Sequence, residues 1–282
     1  MSKIYIDETN RDYVRLYSEK KETKLVHANE PHPGYFITES INVTRRALDA
    51  GYVPESFFID EESINDEVEK IFDSYANVPQ YICSRSELES ITGYPMTRGL
   101  LSCMIRREDI SVEELVKDKK RIAVLANVEN PTNVGALFRS AAALNMQAVV
   151  LSKGCADVIY RRTTRVSMGT VFQIPWTYVH KLDETNLISL LRKEGYKCVA
   201  MALRDNTINI DDEILKKEDK LAIVLGSEGY GLPNEAIAQC DYTVMIPMAH
   251  GVDSLNVSTA GAIAFYELGK HIEIIKNNSY NE

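Results

Sequence analysis

The chain has 282 residues, enough for one large domain or two ordinary ones with a sizeable core, and its 45% hydrophobic, 26% charged composition is that of a globular protein. A formal net charge of -9 excludes broad, nonspecific affinity for nucleic acid, which draws on clustered Lys and Arg, but leaves room for a local basic patch. No apolar run approaches the roughly 20 residues that span a bilayer, and residues 1–8 lack the apolar core of a signal peptide, so a cytoplasmic protein without a membrane partner is expected.

Residues 1–30 are polar and read as an N-terminal extension, with a helix over 7–19. Strands are expected over 35–38, 56–60, 81–83 and 100–105, with helices over 41–50 and 65–75. Their alternation predicts a small α/β/α domain over 31–107. The charge run from Glu113 to Arg121 marks a linker over 108–120. Beyond it, near-continuous apolar runs at 122–126, 148–151, 198–202 and 221–225 predict strands covered on both faces, as in parallel sheets. Helices are expected over 134–144, 187–194 and 259–275. A second domain therefore spans 121–275, followed by a disordered tail over 276–282.

Cys83, Cys103, Cys155, Cys198 and Cys240 are widely spaced and form no C-x-x-C pair, so buried thiols are expected rather than disulfides or a zinc site. The histidines are scattered without ligand spacing, and no metal is expected.

Three segments stand where strands end, which is where open α/β sheets hold ligands. In the first, Asn130-Pro131-Thr132-Asn133-Val134-Gly135 opens a helix that carries Arg139 in an otherwise apolar stretch. That arginine is either a snorkelling surface residue or a charge placed at a site, where a bidentate phosphate contact would suit it. In the second, Gly226-Ser227-Glu228-Gly229-Tyr230-Gly231 is either a simple turn or a loop whose backbone comes close to a ligand, with Glu228 as its one charge. The third runs from Ile246-Pro247-Met248 to Ser254-Leu255-Asn256-Val257-Ser258, just before a small-residue helix. Ser254 and Asn256 are either helix caps or site residues. No phosphate-binding glycine fingerprint is present, which disfavours a nucleotide-binding Rossmann enzyme.

Taken together, in this order over roughly 121–270, the three segments resemble the SpoU (TrmH-like) family of RNA ribose methyltransferases, within the SPOUT class. The family pattern N-x-x-N-x-G-x-x-x-R-x-A matches Asn130, Asn133, Gly135, Arg139 and Ala141. Residues 20–106 are more weakly similar to the small α/β RNA-binding domain that often precedes the catalytic one. The resemblance implies an α/β fold with a trefoil-knotted, mostly parallel sheet and helices on both faces. It also implies S-adenosylmethionine (AdoMet) held by Gly226, Ser227, Glu228, Gly229, Ile246, Met248, Leu255 and Asn256, and a homodimer completing each active site. The implied activity is 2′-O-ribose methylation of RNA, with ribosomal RNA favoured over transfer RNA.

The implied catalytic set is Asn133, Arg139, Glu228, Ser254 and Asn256. An arginine keeps its proton and is a poor base, so Arg139 is expected to hold the target phosphate and stabilise the developing alkoxide, with Ser254 and Asn256 orienting the groups. Glu228 is expected to support the loops. One segment departs from the pattern: Tyr160-Arg161-Arg162-Thr163-Thr164 stands before Arg165-Val166-Ser167-Met168-Gly169, where many members carry Asn-Pro. Its arginines are either a local RNA-binding patch or solvated charge. The competing reading is a knotted RNA-binding protein with little or no catalysis.

Overall fold

The computed structural model describes residues 3–18, 21–93, 95, 99–227 and 229–269, which form two compact units. The first comprises Met1–Glu108 with Asp157–Gln173, and the second Asp109–Ala156 with Ile174–Glu282. The tail expected over 276–282, and the end of the helix expected over 259–275, lie outside the described residues.

The first unit holds β1 (Ile4–Tyr5), β2 (Tyr35–Glu39), β3 (Pro54–Asp60), β4 (Gln80–Cys83) and β5 (Leu101–Ile105) in the order β1-β4-β3-β5-β2. Strands β1, β4 and β3 run parallel, whereas β5 is antiparallel to β3 and β2. Residues 1–30, expected as an extension, supply β1 and part of the core: Val14, Tyr17 and Leu25 pack with Ile37, Phe58 and Leu88. The Tyr17 hydroxyl donates to Ser56 O at 2.9 Å and accepts from Cys103 N at 3.2 Å. A few anchoring side chains scattered through a polar segment leave no periodic signal, which is why this docking is invisible in the sequence. The helix expected over 7–19 is a 3-10 turn, Arg11–Val14, running into the short helix Arg15–Ser18.

The segment Asp157–Gln173 falls within the 121–275 span expected to be one domain, yet it packs with the first unit. Arg106 and Asp157 form an ion pair at 2.6 Å, largely shielded from solvent, and the Phe172 ring lies against Phe36 and Tyr52. Here Arg161–Val166 is a helix. The Arg161 backbone N–H donates to Glu22 Oε1 at 2.6 Å, and Arg165 lies 3.9 Å from the Glu39 carboxylate. Of the two arginines of the departing segment, Arg161 is thus tied to Glu22 through its backbone, while Arg162, like Arg165 just beyond it, is exposed.

The second unit is a seven-stranded, wholly parallel sheet. Its strands are β6 (Arg121–Leu125), β7 (Ala148–Ser152), β8 (Trp176–Val179), β9 (Lys197–Met201), β10 (Ile208–Asn209), β11 (Leu221–Leu225) and β12 (Tyr242–Met245), in the order β10-β12-β9-β11-β6-β7-β8. Strands β6, β7 and β11 are buried at every residue, as their unbroken apolar runs require. Alternate side chains serve opposite faces. Ile122, Val124, Ala222 and Val224 pack with Leu187, Leu191 and Ile237 on one face. On the other, Gly261 of the Val257–Gly269 helix sits so close to Leu137 and Leu225 that a Cβ would fall 2.3 and 3.0 Å from their methyl carbons. The small residues of that helix therefore serve close packing. Arg121 opens β6 fully enclosed: its guanidinium donates to the carbonyls of Leu268, Lys120, Asp219 and Glu218 at 2.8–3.0 Å.

All five cysteines are free. Burial is the largest cause of the upward shift in each thiol pKa: Cys155 rises to about 11, Cys83 and Cys240 to about 12, and Cys103 and Cys198 also rise. An unfolded thiol titrates near ~8.5, so the native state holds these protons more tightly. The corresponding stability is present below that pH and is lost as pH climbs toward 11–12. Urea midpoints are expected to fall between pH 8 and pH 10.5. At pH 8 the native thiols should resist iodoacetamide that alkylates all five in urea; equal rates in the two states would contradict this.

Candidate functional site

Because the second sheet is parallel, the loops after β6, β9, β11 and β12 all leave from one edge. A cavity of about 670 Å³ opens there, within the ~300–1,000 Å³ typical of small-molecule sites.

The loop after β11 forms the first wall. It folds back on itself through a bridge between Ser227 and Gly231, with Gly231 N–H donating to Ser227 O at 3.0 Å. A Cβ on Gly226 would lie 2.5–2.7 Å from the backbone of Gly231 and Leu232, and Gly231 adopts φ +65°, so both positions call for glycine. Tyr230 at the turn is 98% exposed. Glu228 lies outside the described residues.

The loop after β12 forms the second wall, with Ile246, Met248, Ser254, Leu255 and Asn256 all lining the cavity. Asn256 serves both alternatives raised by the sequence. Its Oδ1 caps the following helix, accepting from Ser258 N at 2.9 Å, while its Nδ2 donates to Asn133 Oδ1 at 3.2 Å. Ser254 does not cap; its hydroxyl donates to Asp253 Oδ1 at 3.2 Å.

The first segment enters through that Asn133–Asn256 contact. Asn130 caps the Pro131–Ala143 helix by accepting from Thr132 N at 2.9 Å. Asn133 is buried, whereas Arg139 is exposed and is absent from the cavity lining. Six residues along a helix turn the side chain by about 120° and advance it about 9 Å, which separates the two.

Of the expected residues, Gly226, Ser227, Gly229, Ile246, Met248, Ser254, Leu255 and Asn256 share one cavity, with Asn133 tied to it. Two contributors were not anticipated. The end of β9 and the loop after it supply Met201, Leu203 and Arg204, and the loop after β12 supplies Asp253. An apolar run ending in a short polar loop was the available signal at 201–204, and it is too common to single out. Among the described residues no group of three or more His, Cys, Asp or Glu is placed to hold a metal ion, and no helix is long and apolar enough to cross a membrane.

Known proteins share this plan. Residues 120–266 match the SpoU rRNA Methylase family. An uncharacterised tRNA/rRNA methyltransferase of Mycobacterium bovis is 35% identical over 242 residues, covering 84% of this chain and 82% of the relative. The 23S rRNA (guanosine-2′-O-)-methyltransferase RlmB of Coxiella burnetii is 30% identical over 220 residues, covering 76% and 85%. The AdoMet-bound rRNA methyltransferase of Sinorhizobium meliloti has a similar fold, with a TM-score of 0.80 at 21% identity over 95% of this chain and 98% of that one. On the family match and the 35% identity across most of its length, the chain belongs to the SpoU rRNA Methylase family.

Proposed function

We propose that the protein is an AdoMet-dependent RNA 2′-O-ribose methyltransferase, acting in the cytoplasm on ribosomal in preference to transfer RNA. The observation that carries this reading is the single cavity walled by the second and third motif loops, to which the first is tied through Asn133 and Asn256. The fit to AdoMet rests on the same cavity: glycine at 226 lets the loop after β11 fold tightly onto Gly231 and Leu232 to form one wall, and Leu225, Ile246, Met248 and Leu255 offer apolar contact. When bound, AdoMet supplies an electrophilic methyl group on a sulfonium.

The chain's own residues supply proximity and charge. Ser254 and Asn256 orient the ribose, and Arg139 holds the target phosphate and stabilises the developing alkoxide. Arg139 does not line the cavity of its own chain, so it acts there when a second copy brings it. This reading therefore includes a homodimer, together with a trefoil-knotted C-terminal passage and RNA binding by the first unit. Family membership supports these three.

The primary test is transfer of labelled methyl groups from AdoMet to total RNA from cells lacking the protein, followed by nucleoside analysis. A labelled 2′-O-methylnucleoside is expected. AdoMet binding without transfer to any RNA would favour the RNA-binding alternative. Arg139→Ala is expected to lower kcat by ~10²–10³ with AdoMet affinity unchanged. Mixing Arg139→Ala with Asn256→Ala after subunit exchange should restore about a quarter of wild-type activity, because in a two-fold dimer half the pairs are mixed and each regains one intact site. No recovery in the mixture would place Arg139 in its own chain's site.

A further inference from the structure

Methyl transfer to a ribose 2′-hydroxyl requires an acceptor for its proton. An arginine keeps its proton, and the amides of Asn133 and Asn256 have no acid-base capacity, so none of these residues fills that role. Among the described residues lining the cavity there is one carboxylate, Asp253, and one cation, Arg204. The Ser254 hydroxyl, on the same wall, donates to Asp253 Oδ1 at 3.2 Å. A hydroxyl that donates to a carboxylate keeps its lone pairs for a second partner, and so can take a proton on one side while releasing one on the other.

The backbone holds this pair in place from both directions. Upstream, His250 and Gly251 adopt φ +58° and +72° in a turn closed by Val252 N–H donating to Ala249 O at 3.2 Å. Downstream, Asn256 caps the Val257–Gly269 helix. Asp253 and Ser254 thus stand between a closed turn and an anchored helix end, both facing the cavity.

We propose that Asp253 is the terminal proton acceptor of the reaction, reached through Ser254. The proposal rests on the methyltransferase reading and names the proton route within it. The ribose O–H bond breaks as the oxygen's freed electron pair bonds to the methyl carbon, and the pair of the broken S–C bond stays on the departing thioether sulfur. Ser254 Oγ takes the hydroxyl proton and gives its own to Asp253 Oδ1. The carboxylate becomes a neutral acid and then, being exposed, returns the proton to water. Arg204 and Tyr230, which line the same cavity from the loops after β9 and β11, and His250 on the same loop as Asp253 are the other charged or titratable groups near it among the described residues. Asp253 touches no reacting atom and acts through Ser254.

The test compares Asp253→Asn, Asp253→Glu, Ser254→Ala and the Asp253→Asn/Ser254→Ala double variant in kcat-against-pH profiles with RNA, alongside AdoMet affinity by calorimetry without RNA. Asp253→Asn and Ser254→Ala are each expected to lower kcat about 100-fold, and the double variant no further. The fall in kcat on the acid side should appear in the wild type and in Asp253→Glu and disappear in Asp253→Asn. AdoMet affinity should be unchanged in all four. Full kcat in Asp253→Asn, persistence of its acid-side fall, or weakened AdoMet binding that accounts for the loss would each overturn the proposal. No transfer by the wild-type chain would instead overturn the methyltransferase reading beneath it.

Discussion

Gly226→Val is expected to fold and to bind AdoMet at least about 100-fold more weakly, a loss of ~2.7 kcal/mol. The first Cβ alone would lie 2.5 Å from Gly231 C and 2.6 Å from Leu232 N. Both are backbone atoms, so no rotamer change relieves the clash; the loop itself must open. That loop is a tight fold-back held by the Ser227–Gly231 bridge, and it walls the cavity along much of its length. Since Gly226 follows β11 rather than lying within it, the sheet should survive. Calorimetric titration with AdoMet and a thermal melt measure the two effects separately. Retained affinity within about threefold would mean that the loop does not hold the cofactor. Gly229 is the internal control for the melt: a Cβ there meets nothing within 4 Å, so Gly229→Ala should unfold at nearly the wild-type temperature.

Arg121→Met is expected to lower unfolding stability by ~3 kcal/mol without touching the cavity. The side chain is 3% exposed, and its guanidinium serves four carbonyls drawn from three places: the last turn of the Val257–Gly269 helix, the adjoining Lys120, and the Glu218-Asp219 turn before β11. Burial lowers its pKa from the ordinary arginine value, opposed by the Asp219 and Glu218 carboxylates. Methionine keeps the apolar stem but leaves these acceptors without a donor. That deficit costs more than the lost hydrogen bonds are worth on their own, because the carbonyls are shielded from water. The melting temperature should drop by about 6–12 °C for a unit of this size. A drop of less than about 2 °C would show that water replaces the guanidinium without cost. Methyl transfer assayed well below the melting temperature should remain within a factor of two or so of wild type, since Arg121 sits at the opposite end of β6 from the cavity.

Much of the second unit was legible because its determinants are local. Four apolar runs of four or five residues became the central strands β6, β7, β9 and β11, each within about a residue of its expected position, since a strand buried on both faces needs an unbroken run. The marginal strands were harder to see. In β8 the burial alternates between partial and full, and β10 has only two residues, so neither carries the hydrophobic signature of the centre. In the first unit β1 is equally short. Asn256 shows a different limit: it was legible as a site residue or a cap but not as both, because choosing between the roles requires knowing what lies across the strand ends.

By itself, the sequence determined the family through the order and spacing of the three motifs, the parallel α/β character of the second unit through its apolar runs, and eight residues that line its cavity. Only the tertiary structure decided that the loop after β9 closes the same cavity and that Asp253 is its one carboxylate among the described residues. It alone showed that Asn133 meets Asn256, that Arg139 does not line the cavity of its own chain, and that Asp157–Gln173 packs with the first unit. The physical reason is the same throughout. Periodicity and motif spacing record interactions among near neighbours in the chain, whereas a cavity at the edge of a parallel sheet is assembled from loops tens of residues apart, brought side by side by strand register.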